Sequence, residues 1–222
     1  MEIIKDLDKL GNRADEVDVK KDNKLIRDTI VSLKDIIRKE NLIYLTAPQI
    51  DVPIRVFVIN FNGSLRSFVN PIISETKGFE LAREKCNSLD KEYIRPRSNN
   101  IKVMYQTPLG KVESRQMLGQ AAITFQHALD HLDGLLLTDV GLEITEEFDK
   151  ASNEERVELI GMYLDSLDIK RKELEKEIEH DPELKQVANA IDFLESVQKG
   201  ETVASIEDVK LKNNKIEAKE DD

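Results

Sequence analysis

One cysteine among 222 residues, Cys86, excludes an internal disulfide framework and fits a reducing compartment. No apolar run approaches the ~18 residues of a membrane-spanning helix, so no membrane partner is expected. The opening residues 1–6 have no long apolar stretch of the secretory kind. These absences set the expected location as the cytoplasm, or a particle assembled there. Acid and base are also distributed unevenly. Residues 1–140 hold 21 Lys/Arg against 20 Asp/Glu, whereas residues 141–222 hold 12 against 24, so the net charge of −11 belongs to the last part. That region would be repelled by phosphate backbones, and nucleic acid is an unfavourable partner.

The hydrophobic pattern predicts an amphipathic helix over 24–38, with Leu25, Ile26, Ile30, Leu33, Ile36 and Ile37 as its stripe. A mostly apolar stretch over 41–50 carries Pro48 and Gln49. Residues 54–60 are β-branched and aromatic, and Asn62-Gly63 signals a turn before a short strand over 66–69, together a hairpin. Further extended segments are expected over 78–86 and 101–106, with 111–116 pairing back across Pro108-Leu109-Gly110. A central helix begins near Leu118. Strands followed by a buried helix, without regular β-α-β units, give an α+β class.

Beyond Gly141, Ser152-Asn153-Glu154-Glu155 has the form of a capping box. Val157, Ile160, Leu164, Leu167, Leu174 and Ile178 then keep helical spacing. A second helix is expected from Asp181-Pro182 to Gly200, giving a hairpin or a coiled coil that pairs with another protein or with itself. The expected division is a domain over 1–142, an acidic helical extension over 143–200, and a polar, partly disordered tail over 201–222.

The chemistry concentrates in Gln126-His127-Ala128-Leu129-Asp130-His131-Leu132-Asp133-Gly134. Two histidines four apart share a helical face, the geometry of a bidentate metal clip. By itself that spacing fits an ordinary polar pair as well, and Cys86 alone reads as a small buried packing residue. Together with their surroundings, however, these residues resemble the peptide deformylases. The nine residues are similar to that family's Q-H-E-x-D-H-L-x-G helix, and Leu45-Thr46-Ala47-Pro48-Gln49-Ile50 to the end of its G-x-G-x-A-A-P-Q motif. Glu84-Lys85-Cys86-Asn87-Ser88 is similar to E-G-C-L-S, and Ile94-Arg95-Pro96 to the arginine-proline segment.

The resemblance implies mixed, mainly antiparallel sheets around a central metal-binding helix, followed here by the C-terminal helical extension. It implies Cys86, His127 and His131 as ligands to Fe or Zn, with a fourth position filled by water. Gln49 and the Asn87 backbone N–H would stabilise the formyl oxygen, with Glu84 and Arg95 in support. Departures fall on the chemistry. Ala128 stands where the family has the glutamate that moves protons, a loss that typically costs ~10²–10⁴-fold. Leu42 and Tyr44 replace the two motif glycines, and Lys85 replaces the glycine before the cysteine, altering the substrate cleft. Four unlike changes at one site favour relaxed catalysis over one introduced substitution. The expectation is therefore an impaired relative serving as a protein-binding or assembly module. The alternative is a working deformylase acting on formyl-methionyl peptides.

Overall fold

The computed structural model describes residues 2–178, and their side chains as far as residue 168. After a short helix α1 (Leu7–Leu10), helix α2 (Asn23–Glu40) buries Ile26, Ile30, Leu33 and Ile37 at spacings of three and four. Leu25, expected in that stripe, is exposed instead. The helix ends where Asn41 turns left-handed at φ 52° and its N–H caps the carbonyl of Ile37.

Strands β1 (Tyr44–Thr46), β2 (Val56–Phe61), β3 (Ser64–Lys77), β6 (Asn100–Gln106) and β7 (Val112–Leu118) form one antiparallel sheet in that order. A second antiparallel sheet holds β4 (Glu80–Lys85), β5 (Glu92–Arg97) and β8 (Leu142–Glu143), with β5 in the centre. Helix α3 (Gln120–Asp133) is the expected central helix, starting one residue past Gly119. Short helices α4 (Leu137–Val140) and α5 (Glu146–Lys150) lead into α6 (Asn153–Ile178).

The first four residues of β2, Val56 to Ile59, are all apolar because both faces of the strand are covered there. Val56 and Val58 join the cluster under α2, while Phe57 and Ile59 join Phe125 and Leu132 of α3. Phe57, Phe68 and Phe125 lock the second cluster, with ring centroids 5.0 to 5.3 Å apart. The first hairpin forms as expected, but β3 runs through to Lys77 rather than stopping at Val69. Pro71 is accommodated because the pairing with β6 shifts register between Val69 and Ile72, beside Asn70 at φ 46°.

The end of α3 is pinned from three sides. Arg55 reaches the Leu132 carbonyl and the Asp133 carboxylate, and the Ala14 N–H also donates to Leu132 O. Gly134 turns left-handed at φ 72°, and a Cβ there would lie 2.5 Å from the Gly11 carbonyl oxygen, so only glycine lets the two segments touch. The capping box forms as read: Ser152 Oγ accepts from the Glu155 N–H, and Glu155 accepts from the Ser152 N–H. Tyr163 of α6 is buried, with its hydroxyl donating to the Val140 carbonyl. Val157, placed in the apolar stripe, is 71% exposed. The second helix, its stop at Gly200 and the polar tail lie outside the described residues.

Candidate metal centre

α3 sets His127 and His131 one turn apart on its buried face, with ring centroids separated by 5.3 Å. Cys86 comes from the opposite direction, one residue past β4, where a turn is closed by the Leu89 N–H donating to the Cys86 carbonyl. Its Sγ lies 3.2 Å from His131 Nε2. One donor atom from each of Cys86, His127 and His131 falls within 4.8 Å of the others, and all three residues are buried.

The strand alternation that aims Cys86 inward also aims Glu84, two residues earlier. Glu84 Oε2 is 2.6 Å from His127 Nδ1, and the carboxylate is held bidentate by Arg97 at 2.6 and 3.0 Å. Burial would raise the Glu84 pKa, but the His127 and Arg97 hydrogen bonds outweigh it and hold it at about 2. An ionised Glu84 fixes the proton of His127 on Nδ1 and leaves Nε2 free as a ligand. Burial likewise opposes ionisation of Cys86, yet the two histidines bring its thiol down to about 5, so it is a thiolate at neutral pH. A buried thiolate and two imidazoles, one oriented by a carboxylate, are the donor set of a zinc or iron site. The residues present fit a divalent metal.

Arg97 continues to Asp130 at 2.7 Å, and Arg95 pairs with the same carboxylate. Arg97, and not the expected Arg95, is the arginine that touches Glu84. Both lie on one face of β5, two apart, which is the signal that would have found it. Asp130 is committed to these arginines and turns away from the ligands.

Gln49 is fully buried in the 3-10 turn Pro48–Ile50. Its Oε1 accepts from Thr46 N and Thr46 Oγ1, both at 3.1 Å, so its amide donor is turned toward Ser88 Oγ at 3.2 Å and Cys86 Sγ at 3.8 Å. Thr46 and Ser88 were not singled out from the sequence, although both lie inside the quoted motifs. The Asn87 N–H adjoins the sulfur by connectivity, while the Asn87 side chain donates to the Tyr44 carbonyl at 3.3 Å.

The four departures part company here. Ala128 is fully buried, in the same core cluster as Tyr44, Phe57 and Phe125. Among the described residues Glu84 is the sole buried carboxylate, and both its oxygens are engaged. Tyr44 is drawn into the centre, its ring centroid 4.9 Å from that of His127 and 6.5 Å from that of His131. Leu42 packs instead against the cluster under α2, and Lys85 is exposed. Lys85, expected to alter the substrate cleft, is the outward residue between inward-facing Glu84 and Cys86.

Comparison with known proteins agrees with this geometry. The sequence model of the polypeptide deformylase family matches residues 2–146. The peptide deformylase of Thermotoga maritima is 37% identical over 97 residues, 43% of this chain and 59% of that protein. The peptide deformylase of Karelsulcia muelleri is 34% identical over 131 residues, 55% of this chain and 69% of that protein. The chain therefore spans about 59% of the length of several of these relatives in sequence. Among solved structures, the Thermotoga maritima peptide deformylase superposes with a TM-score of 0.58 at 31% identity, covering 65% of this chain and 96% of that one. A deformylase from the Vibrio parahaemolyticus bacteriophage VP16T, in complex with actinonin, gives 0.56 at 26% identity, covering 61% and 98%.

Proposed function

The chain belongs to the peptide deformylase family, and from that premise we propose that it holds a divalent metal at Cys86, His127 and His131 without running the family's hydrolysis at speed. Its fold then serves as a protein-binding or assembly module. One observation carries this reading: the residue between the two histidines, where the family motif has its glutamate, is the fully buried Ala128, and among the described residues no unengaged buried carboxylate replaces it. When bound, the metal supplies Lewis acidity toward a carbonyl oxygen. The protein's own groups supply only part of what deformylation asks. Gln49 presents an amide donor, and Glu84 orients His127. Among the described residues no buried carboxylate is free to take a proton and return it to a leaving amine. The Tyr44 ring occupies space beside the histidines that a backbone glycine would leave open. The acidic region from Glu146 onward supports a protein partner or self-association, because α6 leaves Val157 and Met162 exposed.

The second reading, an active deformylase cleaving N-formyl groups from formyl-methionyl peptides, is favoured by the intact Gln49–Cys86–Ser88 arrangement and by the relatives' names. Formate release from a formyl-methionyl peptide separates the two. The expected result is release near background for the natural chain, and rates still far below those of the relatives in Ala128→Glu, because Tyr44 remains. Turnover by the unaltered chain at rates like theirs would overturn the proposal.

A further inference from the structure

Tyr44 does more than fill space. Among the described residues only three buried side-chain N or O atoms have no hydrogen-bond partner, and two of them, Tyr44 Oη and His131 Nδ1, belong to this centre. An unmet buried hydroxyl is costly, and such groups recur where an ion belongs. Burial first, then the charge of Cys86 and a weak contact with its sulfur, hold the Tyr44 phenol pKa well above its ordinary value, with Glu84 and Arg97 acting less, so the oxygen end of the ring is the end near Cys86. The ring is not there by looseness. Its carbonyl is gripped by Asn87, the residue after the ligand, and its strand is paired with β2 through Ile59.

We propose that Tyr44 closes the metal site, its phenolic oxygen being a fourth protein ligand beside Cys86, His127 and His131. Oxygen and nitrogen donors bind zinc at similar lengths, and a set of four protein ligands is the mark of a structural site, whereas three with an open position mark a catalytic one. Coordination releases the phenol proton to solvent, as metal binding does for other acidic ligands. The inference rests on the reading that the site is held rather than used, but it fails separately from it.

The test uses the full chain loaded with cobalt(II). Titration with azide, a small anion that enters an open coordination position, should leave the visible absorption of the natural chain unchanged. In Tyr44→Phe, which keeps the ring, azide should shift that spectrum, and metal affinity should fall at least about tenfold, the scale on which a lost supporting contact weakens metal sites. A crystal structure of the zinc-loaded natural chain should show Oη bound to the metal with no solvent ligand. An azide response in the natural chain, solvent in the fourth position, or failure to bind metal would each overturn the proposal. Formate release at family rates would instead overturn the functional reading above.

Discussion

The two sides of the metal centre are built differently. Behind His127, Glu84, Arg97, Asp130 and Arg95 form a closed chain in which each charge meets an opposite one. In front, His131 Nδ1 has no partner among the described residues, the Tyr44 ring packs on His127 with only the Cys86 sulfur acting on its hydroxyl, and Ala128 offers only a methyl group. The rear is a scaffold that orients a ligand whether or not metal is bound. The front is completed only by what enters it. The departures from the family motif that reach the centre, Ala128 and Tyr44, therefore lie on one face, with the Glu84 network behind His127 intact.

The sharpest way to break this contrast is at its rear. Glu84→Ala leaves buried Arg97 with Asp130 alone and strips His127 Nδ1 of its acceptor, and denaturant unfolding should show a loss of about 3 kcal/mol or more. The same carboxylate gives the acid response its sign. Its folded pKa of about 2 lies below its ordinary 4.5, so its stabilisation is fully present above about pH 4.5 and disappears as pH falls through about 2. Glu84→Gln should remove that part of the acid transition, measured by unfolding midpoints across pH 2–5.

The front contributes only when loaded. Adding zinc at 100 to 1,000 times its dissociation constant should raise stability by about 3–4 kcal/mol, and a chelator should reverse the gain without unfolding the chain. If the metal-free protein is unfolded by chelator, the rear is not the self-sufficient scaffold described. Arg95→Ala, a partly exposed member of the rear chain whose Asp130 partner keeps Arg97, should cost less, about 1–2 kcal/mol in the same assay. The exposed Lys150–Glu146 pair on α5 sets the floor: Lys150→Ala should change stability by no more than about 0.5 kcal/mol.

Much of this was legible in the residues. Helical spacing gave α2 and α3, and the capping box gave the start of α6. The motif order picked out Cys86, His127 and His131, which the fold brings together, and Gln49 beside them. Where the reading missed, long-range pairing and packing were responsible. The length of β3 depends on β6 accepting a register shift around Pro71, which no local propensity reports. The β4–β5 register sets Arg95, opposite Ala82, nearer to Glu84 than Arg97, opposite Glu80, so that Arg97 makes the contact is decided by side-chain packing around Asp130 and not by pairing. Lys85 and Tyr44 looked alike as bulky replacements for glycine, yet strand alternation turns one outward and packing turns the other inward.

The sequence alone determined the α+β class and the ligand types, and it also showed the missing glutamate, because these follow from residue identity and from periodicity within single elements. Only the tertiary structure decided that Cys86 meets the histidines, that Glu84 is bound on every side, and that the Tyr44 ring packs against His127. Those facts depend on how two separate sheets converge on one helix, and distances between segments forty residues apart are set by packing, not by order along the chain.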